Sequence, residues 1–265
     1  MPFPDSPRVI YKKNPLDQVI CQFRFPPILK IDTQSPVDFQ EQIRKEYPFF
    51  FEERDEFHGF PPEVLSQLPQ ENISEIKLLP TNKMNYRFVS ADNNWTINLT
   101  NSFLALSCKN YDRWENFKSH FVQPLSSLVD IYSPDFFTRI GLRYIDLITR
   151  SSLGLEGYGW DELIQPNILG ILASTDIDIS IVKSALSTDE VSIERDSIAR
   201  LVHGLAIINQ SKEEVYLIDC DYFTEKRTEI SDATTKLDNY NQTGRRLFRW
   251  CITDKLHNAM QPEYL

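Results

Sequence analysis

Two strand-like segments of this chain each begin the same order of predicted elements. Residues 18–25 read QVICQFRF and residues 136–149 read FFTRIGLRYIDLIT. Pro26 and Pro27 stop the first strand, because proline cannot donate to a sheet ladder. Each strand is followed by a helix, a run of short strands and a long helix. This order predicts an α+β protein of two tandem halves, residues 1–134 and 135–265, packed as one unit.

The first half is predicted to contain a short helix, an antiparallel meander and a long helix. Ser35 and Pro36 begin the short helix, whose apolar residues recur every four positions. We expect at least two of the three rings at residues 49–51 to be buried, at roughly 1.5 to 3 kcal/mol each. An apolar stripe after Asp112 predicts the long helix, with a kink at Pro124. The predicted strands of the meander cover residues 73–79, 84–91, 95–99 and 103–108.

The second half repeats this order with little residue identity, so the pattern favours a duplicated fold without a duplicated sequence. Gly244 is expected to weaken or bend its long helix. Curved antiparallel sheets that each cradle a long helix are typical of the helix-grip and TATA-binding-protein-like class, and such a comparison transfers no function. The predicted elements are a helix over residues 161–169, strands over 177–184, 191–194, 200–208 and 215–223, and a helix over 231–260.

The composition and net charge of the chain restrict the classes of function that it could have. Of the 265 residues, 41% are hydrophobic and 25% are charged, which is typical of a globular protein. The four cysteines lack CxxC spacing and are expected to be buried thiols in a reducing compartment. Neither a signal peptide nor an apolar run of about 18 residues is present, so we predict a cytoplasmic protein without a membrane partner. The net charge of -10 disfavours nucleic acid as a partner.

Three arginines in apolar strands are candidate ligand-binding residues. A charged side chain in such a strand must be solvated, paired with an opposite charge or involved in binding a ligand. Arg139 and Arg143 share one strand face, whereas Tyr144 and Asp146 share the other. With Arg24 nearby, these arginines would form a cationic patch suited to a carboxylate or phosphate. The predicted ligand residues are therefore Arg24, Arg139, Arg143 and Tyr144, and the alternative is internal pairing of the arginines with acids.

A metal site is the second hypothesis. Asp219 and Asp221 stand two apart on a predicted strand, which places both carboxylates on one face, and Asp146 is the candidate third ligand. The alternative is a solvent-facing strand whose charges discourage pairing with another sheet. The chain has no nucleophile elbow, phosphate loop or dinucleotide fingerprint. His203 is expected to be packed or hydrogen-bonded, and the histidines show no metal-ligand spacing.

Several motifs resemble a sporadically distributed family of uncharacterised prokaryotic proteins of about this length. They are NPLDQVICQFRFPPILKI at residues 14–31, YDRWENF at 111–117, RIGLRYIDLI at 139–148 and LIDCDYF at 217–223. Asp146 stands where the family pattern has asparagine. The resemblance implies a cytoplasmic prokaryotic protein with no established activity. Patchy distribution of this kind often accompanies defence or mobile-element genes.

These observations predict a non-enzymatic binding or interaction protein. Its partner would be another protein or a small anionic ligand, bound on the sheet face or in the groove between halves. The alternative is a metal-dependent enzyme that acts on a phosphoryl compound through Asp219 and Asp221. No cofactor is expected for the binding protein, and a divalent metal would serve the alternative. The sequence leaves the oligomeric state open.

Overall fold

The computed structural model describes residues 2–54, 84–208 and 212–265. These residues form a mixed α+β protein with a large antiparallel sheet and several helices, which confirms the predicted class. Among the described helices, none has the length and the apolar character needed to cross a bilayer.

The elements follow one another along the chain in this order. The strands are β1 (Val9–Tyr11), β2 (Leu16–Arg24), β3 (Phe49–Arg54), β4 (Met84–Val89), β5 (Trp95–Leu99), β6 (Phe103–Cys108), β7 (Arg139–Ile148), β8 (Leu186–Glu194), β9 (Ser197–Ile207), β10 (Glu214–Thr224) and β11 (Pro262–Tyr264). The helices are α1 (Leu29–Thr33), α2 (Val37–Ile43), α3 (Trp114–Tyr132), α4 (Arg150–Leu153), α5 (Trp160–Leu163), α6 (Pro166–Leu169), α7 (Ala233–Cys251) and α8 (Asp254–Ala259). Short 3-10 helices cover Gly170–Ala173, Ile179–Ile181 and Ile230–Asp232.

The chain divides into two compact units. The meander unit comprises Gln18–Leu142 and Phe223–Leu237, and its sheet has the strand order β3-β4-β5-β6-β2 followed by residues 139–142 of β7. The terminal unit comprises Met1–Asp17, Arg143–Tyr222 and Asp238–Leu265. It contains the rest of β7, then β10, β9 and β8, and a separate pair formed by β1 and β11.

Alternation of side chains gives the meander sheet one apolar face and one polar face. Phe23 of β2 and Trp95 of β5 point to the side of helix α3, where their rings lie 6.0 Å from Phe121 and 5.7 Å from Phe117. All four rings are buried. The apolar stripe of α3 is therefore its contact with the sheet, as its spacing of three and four predicts. The helix continues through Pro124 and ends at Ser133, which adopts a left-handed conformation.

In the terminal unit, helix α7 lies on the sheet through the buried side chains of Tyr240, Leu247 and Cys251. A Cβ at Gly244 would lie 3.2 Å from Cε2 of Tyr144, so glycine allows a close approach of this helix to β7. The residue predicted to weaken the helix thus has a packing role. The helix ends at Cys251, and the predicted single helix over residues 231–260 is two helices, because Thr253 caps a new one by accepting a hydrogen bond from Leu256 N.

Several sequence predictions are wrong in detail. Phe49 and Phe51 are 46% and 44% exposed, because β3 is an edge strand that turns only Phe50 towards Phe88. Residues 177–184 contain a 3-10 turn at Ile179–Ile181 in place of a strand. The helix predicted over residues 161–169 is divided into α5 and α6, because Pro166 starts a new first turn. The short helix predicted to begin at Ser35 and Pro36 is α2 (Val37–Ile43), and Ser35 does not cap it through its side chain. The strand predicted at residues 73–79 lies outside the described residues.

The chain ends form a small pair that the sequence pattern does not indicate. In this pair Val9 is opposite Tyr264 and Tyr11 is opposite Pro262. His257 of α8 lies between the two tyrosines, with Nδ1 at 2.7 Å from the Tyr11 hydroxyl and Nε2 at 3.4 Å from the Tyr264 hydroxyl. Burial, followed by the nearby charge of Arg249, lowers the pKa of His257. This histidine therefore holds the two terminal strands to α8.

Candidate functional site

The face of the meander sheet that points away from α3 carries polar side chains at its centre, and we call it the polar face. The register aligns Arg87, Asn98, Ala105 and Gln22 in one row across β4, β5, β6 and β2. Gln22 and Ala105 are buried although they lie on the side opposite the helix. Their burial shows that other residues of the chain cover the centre of this face.

Two arginines converge on one residue of this face. Arg24 Nε donates to Gln22 Oε1 at 2.9 Å, and Arg139 Nη1 donates to the same oxygen at 3.2 Å. Thr138 N donates to Arg24 O at 2.8 Å, which fixes the start of β7 beside the end of β2. The guanidinium of Arg139 also lies over the ring of Phe223, 4.8 Å from its centroid. The structure thus brings together Arg24 and Arg139, two of the predicted ligand residues.

The electrostatics of this pair follow from its geometry. Because both nitrogens bind one oxygen, they lie no more than about 6 Å apart. At an effective dielectric constant of 20, two unit charges at that separation repel by about 2.8 kcal/mol. An anion placed between the two guanidinium groups would be attracted by both.

The position of Arg139 depends on a glycine two residues further along β7. An ideal Cβ built at Gly141 would overlap Nη1 of Arg139 and lie 2.9 Å from its Cζ. The guanidinium therefore folds back over the bare backbone of Gly141 on its way to Gln22. A side chain at residue 141 would displace it.

The opposite end of the polar face has a different character. Arg87 pairs with Glu53 at 2.5 Å and stacks on Phe51, 4.5 Å from the ring centroid. Next to it, Asn85 Nδ2 donates to Asn98 Oδ1 at 3.3 Å. Asn85 Oδ1 is buried and receives no hydrogen bond from the described residues. At this end of the face, Arg87 is thus neutralised by Glu53, and the side-chain oxygen of Asn85 is able to accept a hydrogen bond.

Arg143 lies in the terminal unit and forms a buried ion pair. Its Nε and Nη2 donate to the two carboxylate oxygens of Asp219 at 2.7 and 2.5 Å, a bidentate geometry. The side chains are 15% and 2% exposed. Burial alone would lower the pKa of Arg143, but the hydrogen bond to Asp219 and the charges of Asp219 and Asp221 outweigh it and raise this pKa. Arg143 is therefore paired internally with an acid, which is the alternative that the sequence left open.

Tyr144 and Asp146 lie on the other side of β7. The hydroxyl of Tyr144 donates to Asn241 Oδ1 of α7 at 3.0 Å, so this residue contributes to helix packing. Asp146 is 5% exposed. Burial and, to a smaller extent, the charge of Asp219 raise the pKa of Asp146 well above its ordinary value. Burial is the main cause that raises the pKa of Tyr11 and the pKa of Cys251, and the charge of Asp146 raises both further.

This placement bears on the metal hypothesis. Both oxygens of Asp219 are engaged by Arg143, and strand alternation separates Asp146 from Asp219 and Asp221. Within the described ranges, no three His, Cys, Asp or Glu side chains are grouped so that they could hold an ion. The three aspartates do not form a shared ligand set in this arrangement.

The remaining nucleophile and base candidates have structural environments. His203 lies between Asp189, at 3.0 Å, and the Tyr216 hydroxyl, at 3.1 Å, and that hydroxyl donates to Ile168 O. This agrees with the expectation that His203 is hydrogen-bonded. All four cysteines are buried and free, and burial is the main cause that raises the pKa of each thiol. Such thiols are poor nucleophiles.

A groove of about 380 Å³ in the terminal unit is lined by Arg150, Trp160 and Glu214 among others. Arg150 stacks on Trp160 at 4.5 Å, pairs with Glu214 at 3.2 Å and donates to Tyr158 O at 3.0 Å. Its guanidinium is bound from three directions, so we assign no ligand to this groove.

Scans of the chain against models of protein families, curated proteins and solved structures find no match. The site is therefore described from its own geometry. Gln22, Gly141, Asn85 and Asn98 were not singled out in the sequence. The signal that indicates Gln22 is its spacing of two from Arg24 in an otherwise apolar strand, which places both side chains on one face.

Proposed function

We propose that this protein is a non-enzymatic binding protein whose polar face takes a small ligand bearing a carboxylate or phosphate group. One observation carries the proposal: Arg24 and Arg139 direct N–H groups to the same neutral oxygen, Gln22 Oε1. Each guanidinium has five N–H donors in a planar fork. An anion bound beside Gln22 would gain charge-assisted hydrogen bonds from two directions.

The position of the pair supports this assignment. Arg24 is exposed at the end of β2, and Arg139 is half-buried at the start of β7. Because the chain carries a net charge of -10, anions are not attracted to it at long range. Binding would depend on the local geometry of these two side chains.

Arg139→Gln is expected to weaken binding of acetate and inorganic phosphate at least about tenfold, since a hydrogen bond to a charged group contributes about 1.5 to 3 kcal/mol. Isothermal titration calorimetry with each anion measures this. The matched control is Arg87→Gln, which removes a cation from the same face but one that is paired with Glu53. Equal losses in the two variants, or no binding by the unsubstituted protein, would refute the proposal.

Gly141→Ala tests the position of the guanidinium without removing its charge. The added Cβ overlaps the observed place of Arg139 Nη1, so the side chain must move away from Gln22. We expect a weakening of acetate binding at least about half as large, in free energy, as that of Arg139→Gln. The double variant should be no weaker than Arg139→Gln alone. Additive losses would show that Gly141 acts by another route.

Three broader proposals accompany this one. We infer a tandem order of two halves, because each long helix, α3 and α7, has 19 residues and follows a run of strands, β3 to β6 before α3 and β8 to β10 before α7. A cytoplasmic location is supported by four buried thiols in the reduced form. Membership of the uncharacterised prokaryotic family stays a prediction.

A further inference from the structure

Residues 2–13, which we call the strap, contact the last two turns of helix α7 through aromatic rings at two points. Near the start of the strap, the buried ring of Phe3 has its centroid 5.5 Å from that of Trp250. Near its end, Tyr11 lies edge-on to Phe248, with 6.0 Å between the ring centroids. Phe3 and Tyr11 are therefore the two anchors that hold the strap against the helix.

The middle of the strap spans a cavity of about 310 Å³. Ser6, Pro7 and Val9 line one side of this cavity, and its other lining residues belong to α7, α8 and β11. The salt bridge between Asp5 and Arg246 contributes little here, because the aspartate is 83% exposed. A segment with few buried apolar contacts opens at a lower free energy than the core around it. Closure of the strap therefore depends on its two anchors and on the pairing of β1 with β11.

His257 of α8 provides the polar contact of the second anchor. Its side chain is 7% exposed, and its Nδ1 lies 2.7 Å from the Tyr11 hydroxyl. Burial raises the pKa of Tyr11 well above its ordinary value, so this hydroxyl keeps its proton and donates it to Nδ1. Nδ1 is able to accept only while the imidazole is neutral, because both ring nitrogens of a protonated histidine are donors. The neutral ring is thus the form that accepts the hydrogen bond from Tyr11.

The groups that face His257 determine the cost of adding a proton to its ring. They are the hydroxyls of Tyr11 from β1 and Tyr264 from β11, the guanidinium of Arg249 from α7, and the exposed carboxylate of Asp254 from α8 itself. Burial and the charge of Arg249 disfavour the protonated ring, and the charge of Asp254 favours it to a smaller extent. The result is that the pKa of His257 is lower than that of an ordinary histidine.

We propose that the strap is a pH-sensitive element, closed while His257 is neutral and released when this ring takes up a proton. Release exposes the protonated ring to water and uncovers Trp250 and the cavity. Because the closed form binds the proton less tightly, the equilibrium for opening is independent of pH above about 6.5, the ordinary pKa of histidine. Below that pH it rises by up to about tenfold per unit, until the pH reaches the pKa of the closed form. This inference concerns the terminal unit and is independent of the anion site.

Hydrogen exchange of the full chain, followed by NMR, measures the opening at two amides of the strap. Lys12 N donates to Gln261 O at 3.2 Å and Lys13 N donates to Met260 O at 3.1 Å, so both bonds break when the strap opens. Their protection factors should be constant above about pH 6.5 and should fall at lower pH by up to about tenfold per unit. The fall should level off at the pH at which the His257 ring itself titrates.

His257→Gln should make these protection factors independent of pH between about 7.5 and 5, because glutamine does not ionise. The matched control is His120→Gln, which removes a histidine of lowered pKa from the meander unit and should leave the response of the strap unchanged. An undiminished fall in His257→Gln, or an equal fall at the Leu247 amide of α7, would overturn the proposal. So would protection that stays constant while the His257 ring titrates. That last comparison uses the unsubstituted protein, so it decides the matter even if His257→Gln does not fold.

Discussion

Asp219→Ala is expected to lower the free energy of unfolding by about 3 to 5 kcal/mol. Asp219 is 2% exposed and accepts two hydrogen bonds from Arg143, whose side chain is 15% exposed. Removal of the carboxylate leaves a buried guanidinium without its bidentate partner, and the charge of Asp221 nearby compensates for only part of this. Urea unfolding followed by circular dichroism measures the change.

The control is an ion pair of similar geometry at the surface of the same unit. Arg200 Nε lies 2.7 Å from Glu190 Oε1, and the side chains are 48% and 50% exposed. Glu190→Ala should therefore cost no more than about 1 kcal/mol. A double variant, Arg143→Met with Asp219→Leu, should recover most of the loss, because it removes both buried charges. Similar losses for Asp219→Ala and Glu190→Ala would contradict this account.

The sequence predicts most of the sheet because burial on one side imposes a period of two. In β5, Trp95, Ile97 and Leu99 are buried and the residues between them are half-buried. The three strands of the meander from β4 to β6 are found close to their predicted bounds for this reason. The period of three and four in α3 identifies that helix in the same way.

The elements that the sequence predicts wrongly are those whose environment depends on distant contacts. Phe49 and Phe51 follow the alternation of an edge strand, and the apolar triplet does not show which face is covered. The pair β1 and β11 joins residues from the two ends of the chain, and three residues are too few for a periodic signal. Helix α7 ends at Cys251, and the next residue, Ile252, forms an isolated antiparallel β-bridge with Ile164.

The candidate site also contains features that the sequence predicts and features that depend on distant contacts. The sequence identifies Arg24 and Arg139 as charges that need an explanation, because they interrupt apolar strands. It does not reveal that Arg143 is neutralised, since its partner Asp219 lies 76 residues away. Nor does it distinguish the face of Asp146 from the face of Asp219 until the two strands are placed side by side. The sequence shows which side chains share a face along one strand, but it does not show which strands pair with each other.

Asp146 and Asp219 therefore illustrate opposite consequences of a buried carboxyl group. Asp219 has a cationic partner. For Asp146, burial and the charge of Asp219 both disfavour the ionised carboxylate, so the pKa of Asp146 is raised well above its ordinary value. An unfolded aspartate has a pKa of about 3.9. The stability that protonated Asp146 contributes is fully present below that pH and is lost as the pH rises through the folded pKa.

Asp146→Asn is accordingly expected to stabilise the protein at neutral pH, because the amide does not ionise. Urea unfolding of both proteins should show almost no difference near pH 4 and a difference that grows with pH up to the folded pKa of Asp146. Asp135→Asn, at an exposed position, should change stability little at either pH. If Asp146→Asn destabilises the protein at pH 7, the carboxylate of Asp146 is ionised and serves a purpose in the folded state, and the metal hypothesis regains support.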